Sequence, residues 1–265
     1  TTNDGRDILA ELGDRHMEYG SLILFTSYNS TLQIAAHEDV IPISKLNEYC
    51  RIIRQLTSKE DWKIARIIAK PFTGKNGKYR FTNEKCEYSV NPPSRSILDS
   101  LKDKNYSVIS IGKINDIFNG EGITKVVKSN HNNAEAINKL MDIMEKNFTG
   151  LCMINLNDFD QLYGHNKDVE GYARCIEELD VEIPLILNKL ADDDLLIITA
   201  DHGNDPTLSN SHTRENVPVI IYNRCLQNPS KLDILNTLAD VGATIADNFG
   251  VMNPGIGTSF LDKLK

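Results

Sequence analysis

The sequence predicts an α/β protein of two parts: a smaller α+β domain over residues 1–91, and an α/β core with a mostly parallel sheet over residues 92–265. Three observations support that reading. Beyond residue 92, short apolar runs alternate with helical patterns, as in βαβ units. Two of those runs, 151–156 and 195–198, lead into stretches rich in Asp and His, which suits strands that deliver side chains to the carboxyl edge of an open sheet. Between the two parts stands Asn91-Pro92-Pro93-Ser94, where consecutive prolines force extended backbone and end regular structure.

In chain order, residues 8–12 are a short helix candidate with Asp4 and Asp7 as possible caps, and residues 21–27 read as a buried strand before a polar turn at Tyr28-Asn29-Ser30. Pro42 precedes a helix that Ser44 is placed to cap, with Leu46, Cys50, Ile53 and Leu56 on one apolar face. Residues 62–70 are a strand with Gly74 to Gly77 as its turn, and alternating aromatics over 78–90 fit a hairpin-like structure. Past the prolines come a helix over 97–104, a strand over 106–111, a helix over 134–146 and a strand over 151–156. A helix over 169–190 should break or kink at Pro184, and a strand follows over 195–199. A strand over 217–222 and a mostly helical stretch over 232–249, interrupted near Gly242, complete the pattern.

At 265 residues with 40% hydrophobic content, the chain can bury a sizeable core. Its net charge of -8, without a basic stripe, argues against a nucleic-acid partner, whose phosphates call for clustered Lys and Arg. No run of about 18 apolar residues offers a membrane span, and the N-terminus lacks a signal-peptide pattern, so a cytoplasmic protein without a membrane partner is expected. The five cysteines are odd in number, widely spaced and form no CxxC, which fits reduced thiols serving as small hydrophobes. Thr1 opens almost directly into a helical pattern with no initiator Met, and the expectation is a chain cut from a longer one.

The chemistry concentrates in Asp158-Phe159-Asp160-Gln161-Leu162-Tyr163-Gly164-His165 and in Thr199-Ala200-Asp201-His202-Gly203-Asn204-Asp205, with His212 shortly after. One Asp-His pair at a strand end is commonly a capped turn. Two such strand ends plus a third His on a polar loop make a metal site, because clustered ionisable groups are costly unless something compensates them. Carboxylate and imidazole suit Mn²⁺, Zn²⁺ or Fe²⁺, and no cysteine lies near enough in sequence for a thiolate zinc site. His37 reads as structural.

With those residues stands a wider set: Gln33 to Glu38, Ile111 to Ile117, His212-Thr213-Arg214-Glu215, Gly242 to Asn248, and the string from Thr199 to Thr207. Together they make the chain resemble the phosphopentomutase family of the alkaline phosphatase superfamily, over essentially all 265 residues. The resemblance implies an alkaline-phosphatase-like core with two divalent metal ions, usually manganese, and a cap domain over residues 1–91. It implies interconversion of ribose or deoxyribose 1-phosphate with the 5-phosphates through a phosphothreonine enzyme, with a sugar bisphosphate activator. Asp160, His165 and His212 match the ligands of one metal, and Asp201 and His202 match ligands of the other. Ser27, Asn29, Arg66, Ile68 and Arg80 of the cap, with Lys113 of the core, match positions that hold the pentose phosphate. The nucleophilic Thr and a further Asp ligand are expected upstream of Thr1. At Asn29 the family usually has Asp, so this chain offers an amide there and no charge. A related metal-dependent phosphatase or phosphoryl transferase, and a non-catalytic truncated form, are the alternatives.

Overall fold

The structure is a computed structural model that describes residues 6–27, 31–58, 62, 64–129, 132–226 and 231–264. The chain divides into two compact units, residues 1–92 with 116–119, and residues 93–115 with 120–265.

The first unit is built on a five-stranded mixed sheet. Its strands are β1 (Ile23–Ser27), β2 (Thr31–His37), β3 (Arg66–Lys75), β4 (Lys78–Phe81) and β5 (Cys86–Ser89). They run in the order β1-β2-β3-β4, with β5 also pairing β3; β2 and β3 are parallel and the other pairs antiparallel. Alternation along the strands sorts two apolar layers onto opposite faces. Ile34, Ala36, Ile67 and Ala69 cluster with Leu46 and Cys50 of helix α2 (Ile43–Leu56). Ile23, Phe25, Ala35 and Phe72 cluster with Leu9 of helix α1 (Arg6–Tyr19).

Several expectations shift here. Strand β2 shows no alternation in the sequence because nearly all its residues are buried, which removes the period-two signal. Helix α1 extends well past residue 12, and Asp7 lies inside it. Helix α2 has Pro42 at its N-cap position and no side-chain cap, so Ser44 sits within the helix rather than capping it. Of its predicted apolar face, Leu46 and Cys50 are buried while Leu56 is exposed. Strand β3 starts at Arg66 and runs on to Lys75, and the two-residue turn is Asn76-Gly77, both at positive φ as the tight twisted hairpin requires.

In the second unit, β6 (Ser107–Ile111) is flanked by β7 (Lys125–Val127) and β8 (Gly150–Ile154) in a three-stranded parallel sheet. Strands β9 (Leu196–Thr199) and β10 (Val219–Tyr222) form a separate antiparallel pair, so the expected parallel order holds for only part of this unit's strands. The helices are α3 (Ile97–Asp103), α4 (Ile114–Ile117), α5 (Asn133–Met144), α6 (Val169–Lys189) and α7 (Ala239–Asn248). Ile109 and Ile111 of β6 pack with Ala136 and Ile143 of α5, and Cys152, Ile154 and Leu156 lie against them.

Helix α6 runs through Pro184 without the expected break; the proline is exposed, as is Asp180, whose carbonyl it leaves without an N–H partner. Helix α7 begins at Ala239 rather than near residue 232, and Gly242 does not interrupt it. The later start has a local cause: the buried Asp240 carboxylate accepts from the backbone N–H groups of Asn236 at 3.1 Å and Thr237 at 3.3 Å. Those amides are thereby held out of a helical ladder.

All five cysteines are free thiols. Burial pushes Cys50 up to about 12 and Cys152 and Cys175 up to about 11, which fits side chains serving as apolar filling. Among the described residues, no helix is long and apolar enough to cross a membrane.

Candidate metal centre

After β8 the chain enters a π-helical turn, Phe159–Gly164. This matters because Asp160 and His165 are five residues apart, which on an α-helix would set them about 140° around the axis from each other. In the π turn the His165 N–H donates to the Asp160 carbonyl at 2.9 Å, an i to i+5 bond that brings the two side chains over one another. His165 Nε2 then lies 3.2 Å from Asp160 Oδ2. Aromatic packing of Phe159 on Tyr172 of α6, with ring centroids 5.8 Å apart, seats the turn. The reciprocal pair of Asn133 N–H to Asp158 Oδ2 at 2.7 Å and Asp158 N–H to Asn133 Oδ1 at 3.1 Å ties its start to α5. Asp158 is therefore occupied in holding the loop.

The second stretch follows β9. Gly203 and Thr213 form an isolated antiparallel bridge, each N–H donating to the other's carbonyl at 3.0 and 2.9 Å. A Cβ at residue 203 would come within 2.9 Å of the Thr213 carbonyl oxygen, so this close approach admits only glycine. The bridge sets His202 and His212 side by side, rings stacked with centroids 3.6 Å apart. His212 Nε2 lies 3.3 Å from Asp160 Oδ1.

Asp160, His165 and His212 thus bring three donor atoms within 4.8 Å of one another. Ligand bonds of about 2.0–2.2 Å place adjacent donors roughly 3 Å apart, so the separations fit a common divalent ion. The tautomer fits too. His165 Nδ1 lies 2.6 Å from the Asn210 carbonyl, which can only accept, so Nδ1 carries the proton and Nε2 presents its lone pair toward Asp160. His202 Nδ1 donates likewise to the Gly203 carbonyl at 3.1 Å. Asp201, exposed, has Oδ1 3.6 Å from His202 Nε2, and this pair adjoins the triad through the His202–His212 stack.

Of the remaining predicted positions, Lys113 follows the carboxyl end of β6, where the Asn155 N–H donates to the Ile111 carbonyl at 3.2 Å and β8 leads on toward the π turn. Arg66, Ile68 and Arg80 belong to the first unit. Register aligns Ser27, Thr31, Arg66 and Ser89 in one row across β1, β2, β3 and β5, with Ile68 two residues along on the same face as Arg66. Arg80 is opposite Thr73 and alternates with Tyr79 and Phe81, which pack on the α1 side with Phe72; it therefore projects from the other face than Arg66 and Ile68. Asn29 and the side chain of Ser27 lie outside the described residues.

Two residues that organise the centre were not singled out in the sequence. The Asn210 backbone carbonyl orients His165, and no side chain announces it. Asn204 Nδ2 donates to Asp160 Oδ1 at 2.8 Å, and its only signal was its place in the Asp-His-Gly-Asn string. Nearby, the Thr207 hydroxyl at 2.6 Å and N–H at 2.9 Å hold the Asp205 carboxyl below its ordinary range.

Among solved structures, the chain is similar to the one described as "Structure of PH0037 protein from Pyrococcus horikoshii", at 14% identity and a TM-score of 0.43. The match covers 59% of this chain and 48% of that one, so it spans about half of that chain's length. Residues 24–253 match the family model described as Metalloenzyme superfamily. With most of its length under that model, the chain belongs to the Metalloenzyme superfamily.

Proposed function

We propose that this chain is the cap and the C-terminal part of the core of a phosphopentomutase, which interconverts (deoxy)ribose 1-phosphate and 5-phosphate. The observation that bears most on the reading is the convergence of Asp160, His165 and His212, with His202 stacked on His212. Superfamily membership supports metal-dependent phosphoryl chemistry as the reaction class. The finer assignment rests on the resemblance of the string from Thr199 to Thr207 and of the segments around it.

In this reading Asp160, His165 and His212 hold one divalent ion, and Asp201 and His202 contribute to a second; manganese is the ion we assign. Such ions supply fixed positive charge beside the equatorial oxygens of a transferring phosphoryl group. The chain's own residues do the rest. Asn210 keeps the His165 lone pair directed inward. Lys113 contacts phosphate, and Arg66 offers a planar fork for bidentate contact with a sugar phosphate. Ile68 lies on the Arg66 face, with Ser27 in the same strand row as Arg66, while Arg80 stands on edge strand β4 and reaches that ligand only around the edge. Asn29 is assigned to the same ligand on the resemblance alone. Closure of the cap excludes water, which favours transfer to sugar over hydrolysis.

The nucleophilic Thr is assigned to a strand outside residues 1–265. Supporting this, the apolar strands β8 and β9 are mostly half-buried, and among the described residues each pairs along one edge only.

The test is an assay of the protein together with that Thr-bearing segment, on ribose 5-phosphate with Mn²⁺ and a sugar bisphosphate activator. Ribose 1-phosphate should form in a Mn²⁺-dependent manner, and His212→Ala should lower both Mn²⁺ affinity and turnover by about a hundredfold or more. Release of inorganic phosphate without ribose 1-phosphate would instead establish a phosphatase. Unchanged Mn²⁺ affinity in His212→Ala would remove the ligand assignment.

A further inference from the structure

We propose that Asn204 is a positioning residue for Asp160, and that residue 164 is glycine in order to admit it. The inference rests on the reading of Asp160, His165 and His212 as a divalent-metal centre.

The two oxygens of Asp160 have different neighbours. Oδ2 faces His165 Nε2 at 3.2 Å. Oδ1 faces His212 Nε2 at 3.3 Å and also accepts from Asn204 Nδ2 at 2.8 Å. An aspartate has freedom about its terminal torsion, so its carboxylate plane needs a third contact to present one oxygen to each imidazole. Asn204 supplies that contact as a donor without charge. A Lys or Arg in its place would add a positive charge beside an incoming cation, and an Asp or Glu could not donate when ionised.

The other end of the amide indicates how tightly it is held. Asn204 Oδ1 is buried and makes no hydrogen bond. The opposite orientation would aim that oxygen at the Asp160 carboxylate, so the single donor bond to Asp160 fixes which way the amide points.

Gly164 completes the arrangement. Its φ is not among the positive values, so the backbone does not itself demand glycine. A Cβ there would stand 2.1 Å from Asn204 Nδ2, 2.5 Å from its Cγ and 2.6 Å from its Oδ1. The amide lies flat against the Gly164 Cα, and any side chain at that position would displace it from Asp160. The Gly-His step of the first stretch and the Gly-Asn step of the second are thus two halves of one contact.

The test is Mn²⁺ titration by calorimetry on wild type, Asn204→Ala, Gly164→Ala and the double variant, with the melting temperature of each metal-free protein measured alongside. Asn204→Ala should weaken Mn²⁺ binding at this centre by about 10–100-fold, the usual effect of removing a partner that orients a ligand. Gly164→Ala should give a similar loss. In the double variant the losses should not multiply, because the added methyl acts by displacing an amide that is no longer there. A residue that serves folding alone would lower the metal-free melting temperature and leave the affinity unchanged. Wild-type affinity in Asn204→Ala overturns the proposal, and so do multiplying losses as far as Gly164 is concerned. Failure of wild type to take up Mn²⁺ overturns the reading of the centre, and the proposal with it. Should Gly164→Ala fail to fold, the Asn204→Ala titration decides alone.

Discussion

The five histidines among the described residues divide by what their ring nitrogens meet. His16 and His37 are almost wholly buried in the first unit, and each has one nitrogen donating and the other accepting. His16 Nδ1 donates to the Ser21 carbonyl at 2.7 Å and its Nε2 accepts from the His37 N–H at 2.9 Å. His37 Nε2 donates to the Gly74 carbonyl at 2.9 Å, and its Nδ1 accepts from the Asp39 N–H at 3.2 Å. These rings are saturated by backbone, whereas His165, His202 and His212 each keep Nε2 near a carboxylate or a neighbouring ring. His16→Ala should therefore cost about 3 kcal/mol in urea-induced unfolding, since it leaves a buried N–H and a carbonyl unpaired and opens a cavity beside Phe72. A cost near zero would mean that water replaces the ring without penalty. The sequence made Asp160, His165 and His212 legible because few other reasons bring carboxylate and imidazole to successive strand ends. It left Asn204 and Asn210 illegible, since a side-chain amide in a polar loop looks the same whether it forms a turn or steadies a carboxylate, and a backbone carbonyl such as that of Asn210 leaves no mark in the sequence.

At the scale of elements, period and punctuation located most helices and strands of the second unit, and failed where a local feature overrode them. Strand β2 was hidden by burial on both faces, and the start of α7 by the Asp240 carboxylate engaging the amides before it. The π turn is the informative case: a spacing of five between Asp160 and His165 contradicts an α-helix, and that mismatch is itself the trace of an i to i+5 turn at these two residues. Helix α6 shows the reverse, a breaker that does not break. Its geometry tolerates Pro184 because the unpaired carbonyl belongs to exposed Asp180 and can be met by water. Pro184→Ala should then stabilise the protein by about 1–2 kcal/mol, through the restored hydrogen bond and the higher helix propensity of alanine. A lower urea midpoint would show instead that the helix needs its proline for the path it takes across α5.

For the molecule as a whole, the organising fact is that, among the described residues, the apolar clusters built on α1, α2 and α5 each draw on the residues of one unit. In the first, α2 covers one face of the mixed sheet through Leu46 and Cys50, and Leu9 of α1 covers the other against Phe25 and Phe72. In the second, Ile109 and Ile111 of β6 pack with Ala136 and Ile143 of α5. A sheet with both faces covered has what an independent fold requires, and a chain of roughly 90 residues is long enough to bury it. Residues 1–92 expressed alone should accordingly unfold in a single cooperative urea transition and retain the hairpin at Asn76-Gly77. Hydrogen exchange should be slowest for the β2 and β3 amides, since these central strands pair on both sides. Such autonomy is what the proposed cap needs, because a domain that closes over a substrate has to keep its own core while its position changes. A fragment that binds hydrophobic dye and lacks a cooperative transition would show that the sheet depends on the rest of the chain, and a separately moving cap would then have no physical basis.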